Sequence, residues 1–341
     1  MSKLPSKTCA IVRMVLLDAA AFGACLVVFA YFHHVRITPL HPTALPESTQ
    51  TPKLETPAPN TPAPDANPSP TPEPTGLLGA KYAEKLSDDG TILDATSYRS
   101  ESVAIELRTE YAYDSVVHVA DIYIQDITSF RTGVYDAYGS SLMLTLKMAQ
   151  QAGAIVAISG DYFSAHMNHG MLIIRNGQIY VDEIPKGYDT CVLYYDGVME
   201  TISDAEFDRD AILARNPYQA WCFGPALLGE DGAALTSFQS TIKTNNPRSA
   251  IGYFEPGHYC FVMVEGRSSE SEGMTLQELS SFFAEMGCKA AYNLDGGKTA
   301  EMVWNNELVN ARIDGGRSVS DILYIIDEAN AGTQSEEEEA E

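Results

Sequence analysis

Four short polar clusters between residues 246 and 319 carry three arginines and two acidic residues. Their sequences are Asn-Pro-Arg-Ser-Ala-Ile-Gly at 246–252, Glu-Gly-Arg at 265–267, Asn-Leu-Asp-Gly-Gly at 293–297 and Gly-Gly-Arg-Ser-Val at 315–319. Arginine binds phosphate oxygens bidentately, whereas carboxylates transfer protons. The combination predicts acid/base chemistry on an anionic substrate.

The third cluster contains the first catalytic candidate, Asp295. It follows the apolar Leu294 and precedes Gly296 and Gly297, so an acid passes directly from a predicted strand into a flexible turn. We expect a general acid or base here, although an Asp that only caps the turn is the alternative. Asn293 lies two residues earlier and therefore on the same face of the strand. Its amide is expected to fix a sugar hydroxyl, to orient the acid or to make a structural hydrogen bond.

The other clusters supply candidate substrate ligands. Arg248 is predicted to bind phosphate or sugar, and the alternative is an arginine that binds backbone carbonyls. Arg317 has the same two interpretations, and the glycines before it favour close approach of a ligand. Arg267 is predicted to bind substrate beside Glu265, a catalytic or sugar-binding carboxylate. A local surface ion pair between these two is the alternative.

A predicted βαβ unit places two of the clusters together. Thr275 and Glu278 form a capping box at the start of a helix that Gly287 ends, between strands at Tyr259–Val264 and Ala290–Leu294. The two strands of such a unit run in the same direction, so their carboxyl ends lie at one edge of the sheet. Glu265 and Arg267 are therefore expected near Asn293 and Asp295.

A weaker copy of this pattern occurs earlier in the chain. The strand Val116–Ile124, a helix within Ser140–Gln151 and the strand Ala154–Ser159 are followed by Gly160 and Asp161. If this is a second βαβ unit, Asp161 joins the same edge, where open α/β sheets bind ligands. Asp161 is thus the third catalytic candidate.

Turn signals complete the predicted fold. Asn176-Gly177, Asp196-Gly197 and Pro256-Gly257 each separate two β-prone segments, and the first two pairs predict type I′ hairpins. Helices and hairpins together predict an α+β fold: a single domain with a mixed β-sheet, βαβ units and several hairpins.

In order and spacing, the four clusters resemble the phosphodiester glycosidase family, and the resemblance covers roughly residues 102–326. It implies a domain that hydrolyses the glycosidic side of a sugar-1-phosphodiester. Bacterial members are associated with exopolysaccharide or the cell wall. Glu265 stands where the family has Asp, Lys298 where a small residue is common, and Ser318 where Pro is usual. The implied catalytic residues are Asp295, Asp161 and Glu265, and the implied substrate-binding residues are Arg248, Arg267, Asn293, Gly296, Gly297, Lys298, Thr299 and Arg317.

The net charge limits the classes of partner that the chain can bind. The formal net charge is −24, which opposes binding to nucleic acid or to anionic lipid headgroups. The predicted partner is a phosphate-containing glycan or sugar-1-phosphodiester, and the predicted contact with a membrane is made by an N-terminal helix alone.

The first 76 residues do not predict a globular fold. We predict a cytoplasmic N-terminus at 1–13, a transmembrane signal-anchor at 14–37 and a Pro/Thr-rich stalk at 38–76. The glycosidase-like domain is expected at 77–328 and an acidic tail at 329–341. This organisation predicts a single-pass protein of the cell membrane with an extracytoplasmic domain; a cleaved signal peptide is the alternative.

The spacing of cysteines and histidines does not decide whether the chain forms disulfides or binds a metal ion. Cys191, Cys222, Cys260 and Cys288 lie about thirty residues apart, without the short spacings of a zinc site. They form either one or two disulfides or buried free thiols. A divalent metal at Asp161, His166 and His169 is left open as an alternative, because a further ligand at defined spacing is missing. No other cofactor is predicted. Two alternative functions remain: a wall module that binds phosphoglycans without catalysis, and a metal-dependent phosphodiesterase that cleaves P–O.

Overall fold

The structure, a computed structural model, describes residues 77–79, 81–135, 141–163 and 170–327, all within the compact unit Leu40–Glu341. The predicted segments 1–13, 14–37, 38–76 and 329–341 lie outside the described residues, as do His166 and His169. None of the described helices has the length and apolar character needed to cross a bilayer.

The described residues contain short helices and many strands, which makes this an α+β domain, as predicted. The α-helices are α1 (Thr145–Ala152), α2 (Arg209–Ala214) and α3 (Leu276–Glu285). The strands are β1 (Ile92–Leu93), β2 (Ser97–Arg99), β3 (Val103–Ala112), β4 (Ser115–Ile124), β5 (Phe130–Val134), β6 (Val156–Ser159), β7 (Leu172–Arg175), β8 (Gln178–Asp182), β9 (Thr190–Tyr194), β10 (Met199–Ile202), β11 (Pro217–Trp221), β12 (Arg248–Glu255), β13 (His258–Val264), β14 (Ala290–Asn293), β15 (Met302–Trp304), β16 (Glu307–Leu308) and β17 (Asp321–Ile325).

The strands form three sheets. The first has the order β1-β2-β3-β4-β13-β12-β14, the second β10-β9-β11-β7-β8 and the third β16-β15-β6-β17-β5. Neighbouring strands in the described residues pair antiparallel throughout. The prediction was a mixed sheet, in which some neighbouring strands pair parallel. In the described residues, two strands that run parallel to each other are always separated by an antiparallel strand.

Both predicted βαβ units are present in this split form. β13 and β14 each pair antiparallel with β12 and so run parallel to one another, with α3 as the crossover. β5 and β6 are related in the same way through β17, with α1 as the crossover. The first strand of the second unit is thus β5, not the predicted strand at 116–124, which pairs with β13 as β4. Each unit still places the ends of its two parallel strands on one edge.

Local sequence explains the ends of the helices. Thr275 accepts a hydrogen bond from the amide of Glu278, whose carboxylate accepts from the amide of Thr275, so the predicted capping box is confirmed. α1 begins at Thr145, later than the start predicted at Ser140, and ends at Gly153, whose φ of +62° is left-handed.

The hairpin turns are confirmed in position but not always in type. Asn176 and Gly177 have φ of +51° and +81°, as a type I′ turn requires. In the turn between β9 and β10, Gly197 has φ of +79° but Asp196 lacks a positive φ. The type I′ prediction for that turn is therefore wrong. The carboxylate of Asp196 instead accepts a hydrogen bond from the amide of Val198, which stabilises a different turn.

One apolar core joins the three sheets. Phe130 of the third sheet lies 5.7 Å from Trp221 of the second and 5.3 Å from Phe261 of the first, measured between ring centroids. α3 covers the other face of the first sheet, where Leu279 and Phe283 are fully buried. The ends of strands from all three sheets consequently meet beside this core.

Candidate active site

A cavity of about 840 Å³ opens where the three sheets meet, and we call it the candidate pocket. Four cationic side chains and one carboxylate line it, in a protein whose net charge is −24. The charge-bearing residues are Arg248, Arg267, Lys298, Arg317 and Asp295; the others are Tyr162, Gly187, Tyr188, Phe223, Gly224, Pro225, Gln239, Ser240, Thr241, Ile242, Asn246, Pro247, Asn293, Leu294, Gly296 and Gly297.

Backbone hydrogen bonds between sheets position Asp295 in this pocket. Its amide donates to the carbonyl of Gly160 after β6, and the amide of Leu294 donates to Ser249 in β12. The residue is only 7% exposed. Burial raises the pKa of the Asp295 carboxyl above its ordinary value, while the charge of Arg317 opposes the rise. A carboxyl with a raised pKa is suited to hold and release a proton.

Arg317 contacts both Asp295 and the aromatic ring of Tyr162. Its Nη2 donates to both carboxylate oxygens of Asp295, at 3.3 and 3.0 Å. Its guanidinium carbon lies 5.2 Å from the centroid of the Tyr162 ring, within cation–π distance. The side chain is about half exposed, so its remaining donors are accessible to a ligand.

Arg248 adopts the alternative considered from the sequence, in that it binds backbone carbonyls. Its Nε donates to Met274, and its Nη2 to Ile242 and Thr244. Nη1 has no hydrogen-bond partner among the described residues. Burial lowers the pKa of the Arg248 guanidinium to about 10, and no acidic neighbour offsets that effect. A buried cation without a carboxylate partner is a receptor for an anion.

Arg267 reaches the same pocket from the end of β13. Its Nη1 donates to Asp314 at 3.0 Å and its Nη2 to Asn246 at 3.1 Å. Its backbone φ of +63° is left-handed, which is costly for a residue with a long side chain. The alternative considered from the sequence, a surface ion pair between Arg267 and Glu265, does not form, because Arg267 pairs with Asp314 and Glu265 with His118.

Small residues let the backbone approach the pocket closely. A Cβ atom at Gly296 would lie 2.5 Å from the carbonyl oxygen of Pro247, and one at Gly297 would lie 3.2 Å from Nη2 of Arg267. Thr299 is fully buried and its hydroxyl donates to the carbonyl of Gly296, so it stabilises the turn at 296–299 from its buried side. Lys298 is exposed at the pocket wall.

Asn293 lines the candidate pocket and contains one unsatisfied polar atom. Its Nδ2 donates to the carbonyl of Gly224 at 2.9 Å, while its Oδ1 is buried without a hydrogen-bond partner among the described residues. A ligand hydroxyl or amide that donates to Oδ1 would remove the free-energy cost of that unsatisfied atom.

Asp161 lies beside the pocket but does not line it. It is fully buried, and its oxygens accept from Nη2 of Arg175 at 2.7 Å and from the amides of Phe163 and Cys222. The same Nη2 lies 3.1 Å from Asp321, so two carboxylates share one guanidinium. Burial and the charge of Asp161 raise the pKa of Asp321 well above its ordinary value. We call these three residues the buried triad.

The sequence interpretation missed Arg175, Asp321 and the aromatic role of Tyr162. Charged residues within the apolar strands at 172–175 and 321–325 were a usable signal, because a buried charge requires a partner. The amide of Tyr162 donates to Asp321, and its φ is +50°. The buried triad therefore fixes the loop that presents Tyr162 to Arg317.

Glu265 lies outside the lining of the candidate pocket. Its carboxylate is 2.8 Å from Nε2 of His118, and Nδ1 of His118 is 2.9 Å from the hydroxyl of Thr109. His118 is thus a hydrogen-bonded histidine of the first sheet. In the described residues, no group of three or more His, Cys, Asp or Glu has the arrangement to hold a metal ion.

A second cavity of about 1010 Å³ shares Pro225 and Gln239 with the candidate pocket but has the opposite charge. Phosphate would be repelled there by six carboxylates, which Arg215 and Lys289 only partly balance. The acidic residues are Asp189, Glu200, Asp204, Glu206, Asp208 and Glu230.

A family comparison covers the region that carries these residues. The sequence model described as "NAGPA: Phosphodiester glycosidase" matches residues 152–326, just over half of the chain. The chain belongs to the phosphodiester glycosidase family. The candidate residues Asp161, Arg248, Glu265, Arg267, 293–299 and Arg317 all lie in the matched region.

One relative of this phosphodiester glycosidase domain is a bacterial protein. Over 187 residues, 53% of this chain, it is 30% identical to the SPbeta prophage-derived uncharacterized protein YomE of Bacillus subtilis (strain 168). The match covers 29% of YomE, so the chain spans less than a third of that relative's length.

One solved structure supports the fold. The zebrafish N-acetylglucosamine-1-phosphodiester alpha-N-acetylglucosaminidase catalytic domain, auto-inhibited by its pro-peptide, aligns with a TM-score of 0.54 and 19% identity over 70% of this chain and 89% of that chain. A hypothetical protein from Synechocystis aligns with a TM-score of 0.46 and 14% identity over 66% and 62% of the two chains. The first similarity shows that the phosphodiester glycosidase chain shares the fold of an animal member.

Proposed function

We propose that this chain hydrolyses the glycosidic bond of a sugar-1-phosphodiester in a cell-surface or exopolysaccharide-type glycan. The observation that carries the proposal is the charge of the candidate pocket: four cationic side chains surround the single carboxylate of Asp295. A phosphodiester supplies the anion that such a pocket needs, and its glycosidic carbon supplies a reacting centre for the acid. The activity named for the zebrafish relative is consistent with this chemistry.

The arginines bind the phosphate in this proposal. Within the part of the chain that the structure describes, Nη1 of Arg248 has no acceptor. Arg317 and Arg267 each have donors beyond those bound to Asp295, Asp314 and Asn246. Guanidinium groups that neutralise the phosphate make the departing sugar or alcohol phosphate a better leaving group. Strong protonation of the leaving oxygen is then unnecessary.

Asp295 acts on the sugar side. As the phosphate leaves, positive charge develops at C1, and a nearby carboxylate either stabilises that charge or takes a proton from the attacking water. Because Asp295 has a raised pKa and contacts Arg317, a phosphate that binds Arg317 would also change the protonation of Asp295. Asn293 lines the pocket, and in this proposal it binds a sugar hydroxyl or amide.

The remaining carboxylate candidates receive other roles. Both oxygens of Asp161 are engaged within the buried triad, so we assign it the positioning of the loop that carries Tyr162. Glu265 is engaged by His118 and lies outside the pocket lining. Its proposed role is to stabilise the end of β13, from which Arg267 extends.

An extracytoplasmic location completes the proposal. It rests on the apolar segment 14–37 and the Pro/Thr-rich segment 38–76 in the sequence, which would place the domain outside the membrane at the end of a stalk. Accessibility of the domain to protease added outside intact cells tests this location, and protection of the domain would contradict it.

Hydrolysis in ¹⁸O-labelled water tests the reaction. The purified full-length chain is incubated with sugar-1-phosphodiesters that include cell-wall fragments, and the products are weighed by mass spectrometry. Label in the released sugar establishes C–O cleavage. Label in phosphate identifies a phosphodiesterase instead, and chelator sensitivity then tests for a metal. Binding without turnover across the panel indicates a phosphoglycan-binding module.

A further inference from the structure

Two of the four cysteines in the described residues lie side by side in the core. All four are buried free thiols, and Cys260 and Cys288 belong to the same apolar cluster, with both sulfur atoms beside Gly252. Cys260 is in β13, and Cys288 lies between the end of α3 and the start of β14. The two cysteines are therefore neighbours in the fold although they are 28 positions apart in the chain.

The glycine at position 252 makes room for this sulfur pair. Gly252 is an interior residue of β12, where glycine weakens a strand, and it pairs with Cys260 in the adjacent strand. A Cβ atom there would lie 2.7 Å from Sγ of Cys260 and 2.9 Å from Sγ of Cys288. Both sulfur atoms therefore occupy the space that a side chain at position 252 would fill.

From this geometry we propose that Cys260 and Cys288 form a disulfide bond when the chain folds in an oxidising environment. Each thiol loses one proton and one electron, and the two sulfurs form one bond. The two electrons reduce the disulfide of an oxidant, either a small-molecule disulfide or a protein disulfide, to two thiols. The proposal is independent of the catalytic activity proposed above.

The disulfide would form before the core closes. The two cysteines are 1% and 3% exposed, and burial raises the pKa of the Cys260 thiol well above its ordinary value. The thiolate is the reactive form, so a folded, reduced chain oxidises slowly. A reduced chain refolded with a disulfide oxidant is therefore the appropriate starting material.

The bond would anchor the strand that leads to the candidate pocket. Directly after Cys288, the amide of Lys289 donates to Tyr253, and β14 then runs to Asn293, two residues before Asp295. A covalent link at the start of this short strand restricts its separation from β13. It also lowers the conformational entropy of the unfolded chain, which stabilises the folded state.

Cys191 and Cys222 provide a matched control. Cys191 is opposite Trp221 in the second sheet, so the following residue, Cys222, points to the other face. The two side chains belong to different apolar clusters. We expect them to remain thiols under the same conditions.

Peptide mapping of the full-length chain, refolded with oxidised glutathione, tests the bond directly. After alkylation of free thiols and digestion by trypsin without reductant, the peptides 249–267 and 268–289 should appear as one species, two hydrogens lighter than their sum. Alkylation of both Cys260 and Cys288, or a link from either to another cysteine, would overturn the proposal. This result does not depend on whether any variant folds.

Thermal unfolding supplies the second measurement. The Tm of the oxidised chain should exceed that of the reduced chain by about 5–10 °C. Cys260→Ala/Cys288→Ala should abolish the difference between oxidised and reduced samples, and Cys191→Ala/Cys222→Ala should retain it. Equal Tm values for the oxidised and reduced parent chain would contradict the proposal.

Discussion

Nη2 of Arg317 lies 3.0 Å from Oδ2 and 3.3 Å from Oδ1 of Asp295. The two residues are 22 positions apart and come from loops that precede and follow strands of different sheets. A bound phosphate would share this guanidinium with the carboxylate, through the donors that Asp295 does not use. Binding of substrate and protonation of Asp295 are consequently expected to be linked.

Asp295→Asn tests the role of the carboxylate. The amide keeps the size of the side chain but neither carries the charge nor transfers a proton. We expect kcat to fall by about 10²–10⁴-fold on a sugar-1-phosphodiester, with a smaller change in KM. Asp182→Asn is the matched control, because Asp182 forms an exposed ion pair with Arg209 and neither residue lines the pocket. Full activity in Asp295→Asn would remove Asp295 from the mechanism.

Arg317→Ala should move the pH dependence of kcat/KM. The charge of Arg317 lowers the pKa of Asp295 against the effect of burial. Its removal raises that pKa further, so the carboxylate becomes protonated at a higher pH. If the ionised form is required, the acid limb of kcat/KM moves to higher pH. Arg317→Lys retains a positive charge and should show a smaller displacement. An acid limb that stays in place or moves to lower pH would show that the two groups are not coupled.

Asp321→Asn should change how stability depends on pH. The folded-state pKa of Asp321 is raised, so above the ordinary Asp pKa of about 3.9 the folded state binds more protons than the unfolded state. The contribution of this group to the free energy of unfolding is therefore present at low pH and is lost as pH rises towards the folded-state pKa. The free energy of unfolding of the parent chain minus that of Asp321→Asn should decrease as pH rises.

Asp94→Asn provides a control of opposite sign for that measurement. Hydrogen bonds from Thr96 and Ser97 lower the pKa of Asp94. Its contribution to stability is therefore lost as pH falls, because the unfolded carboxyl is protonated first. Chemical denaturation of both variants between pH 3.5 and about pH 8 compares the two slopes, and equal slopes would contradict the assignment for Asp321.

Arg248→Ala should affect stability and anion binding together. Three backbone carbonyls lose their donor, and we expect the free energy of unfolding to fall by at least about 2 kcal/mol. Inhibition by inorganic phosphate should also weaken by about tenfold or more, because the buried cation of the pocket is lost. Arg99→Ala removes an exposed arginine paired with Glu106 and should change stability by less than about 0.5 kcal/mol. Unchanged phosphate inhibition would restrict Arg248 to a structural role.

Local patterns predicted the helix α3 and the turn at 176–177 correctly, because their determinants are adjacent in sequence. The capping box needs only Thr275 and Glu278, and the type I′ turn needs only Asn176 and Gly177. The insertion of β12 between β13 and β14 was not predictable in this way. A strand that enters between two parallel neighbours is selected by the complete core rather than by its own residues.

The same distinction applies to the site. The strand ends of the βαβ pattern predicted that Arg267 lies near Asn293 and Asp295, and all three line the candidate pocket. Glu265, predicted at the same edge, lies outside that lining. The direction of each guanidinium could not be predicted from the sequence, because it depends on acceptors such as the carbonyl of Met274 and the carboxylate of Asp314. Burial of Asp161 likewise depends on Arg175, which is contributed by another sheet.

The position of β17 has a consequence for synthesis of the chain. This strand is near the end of the domain, yet it lies between β5 and β6, which are made about 170–190 residues earlier. It also delivers Asp321 to Arg175. Before residues 321–325 leave the ribosome, the third sheet lacks the strand that pairs with both β5 and β6, and these two strands present open edges. A nascent chain therefore depends on protection from self-association until its last strand emerges.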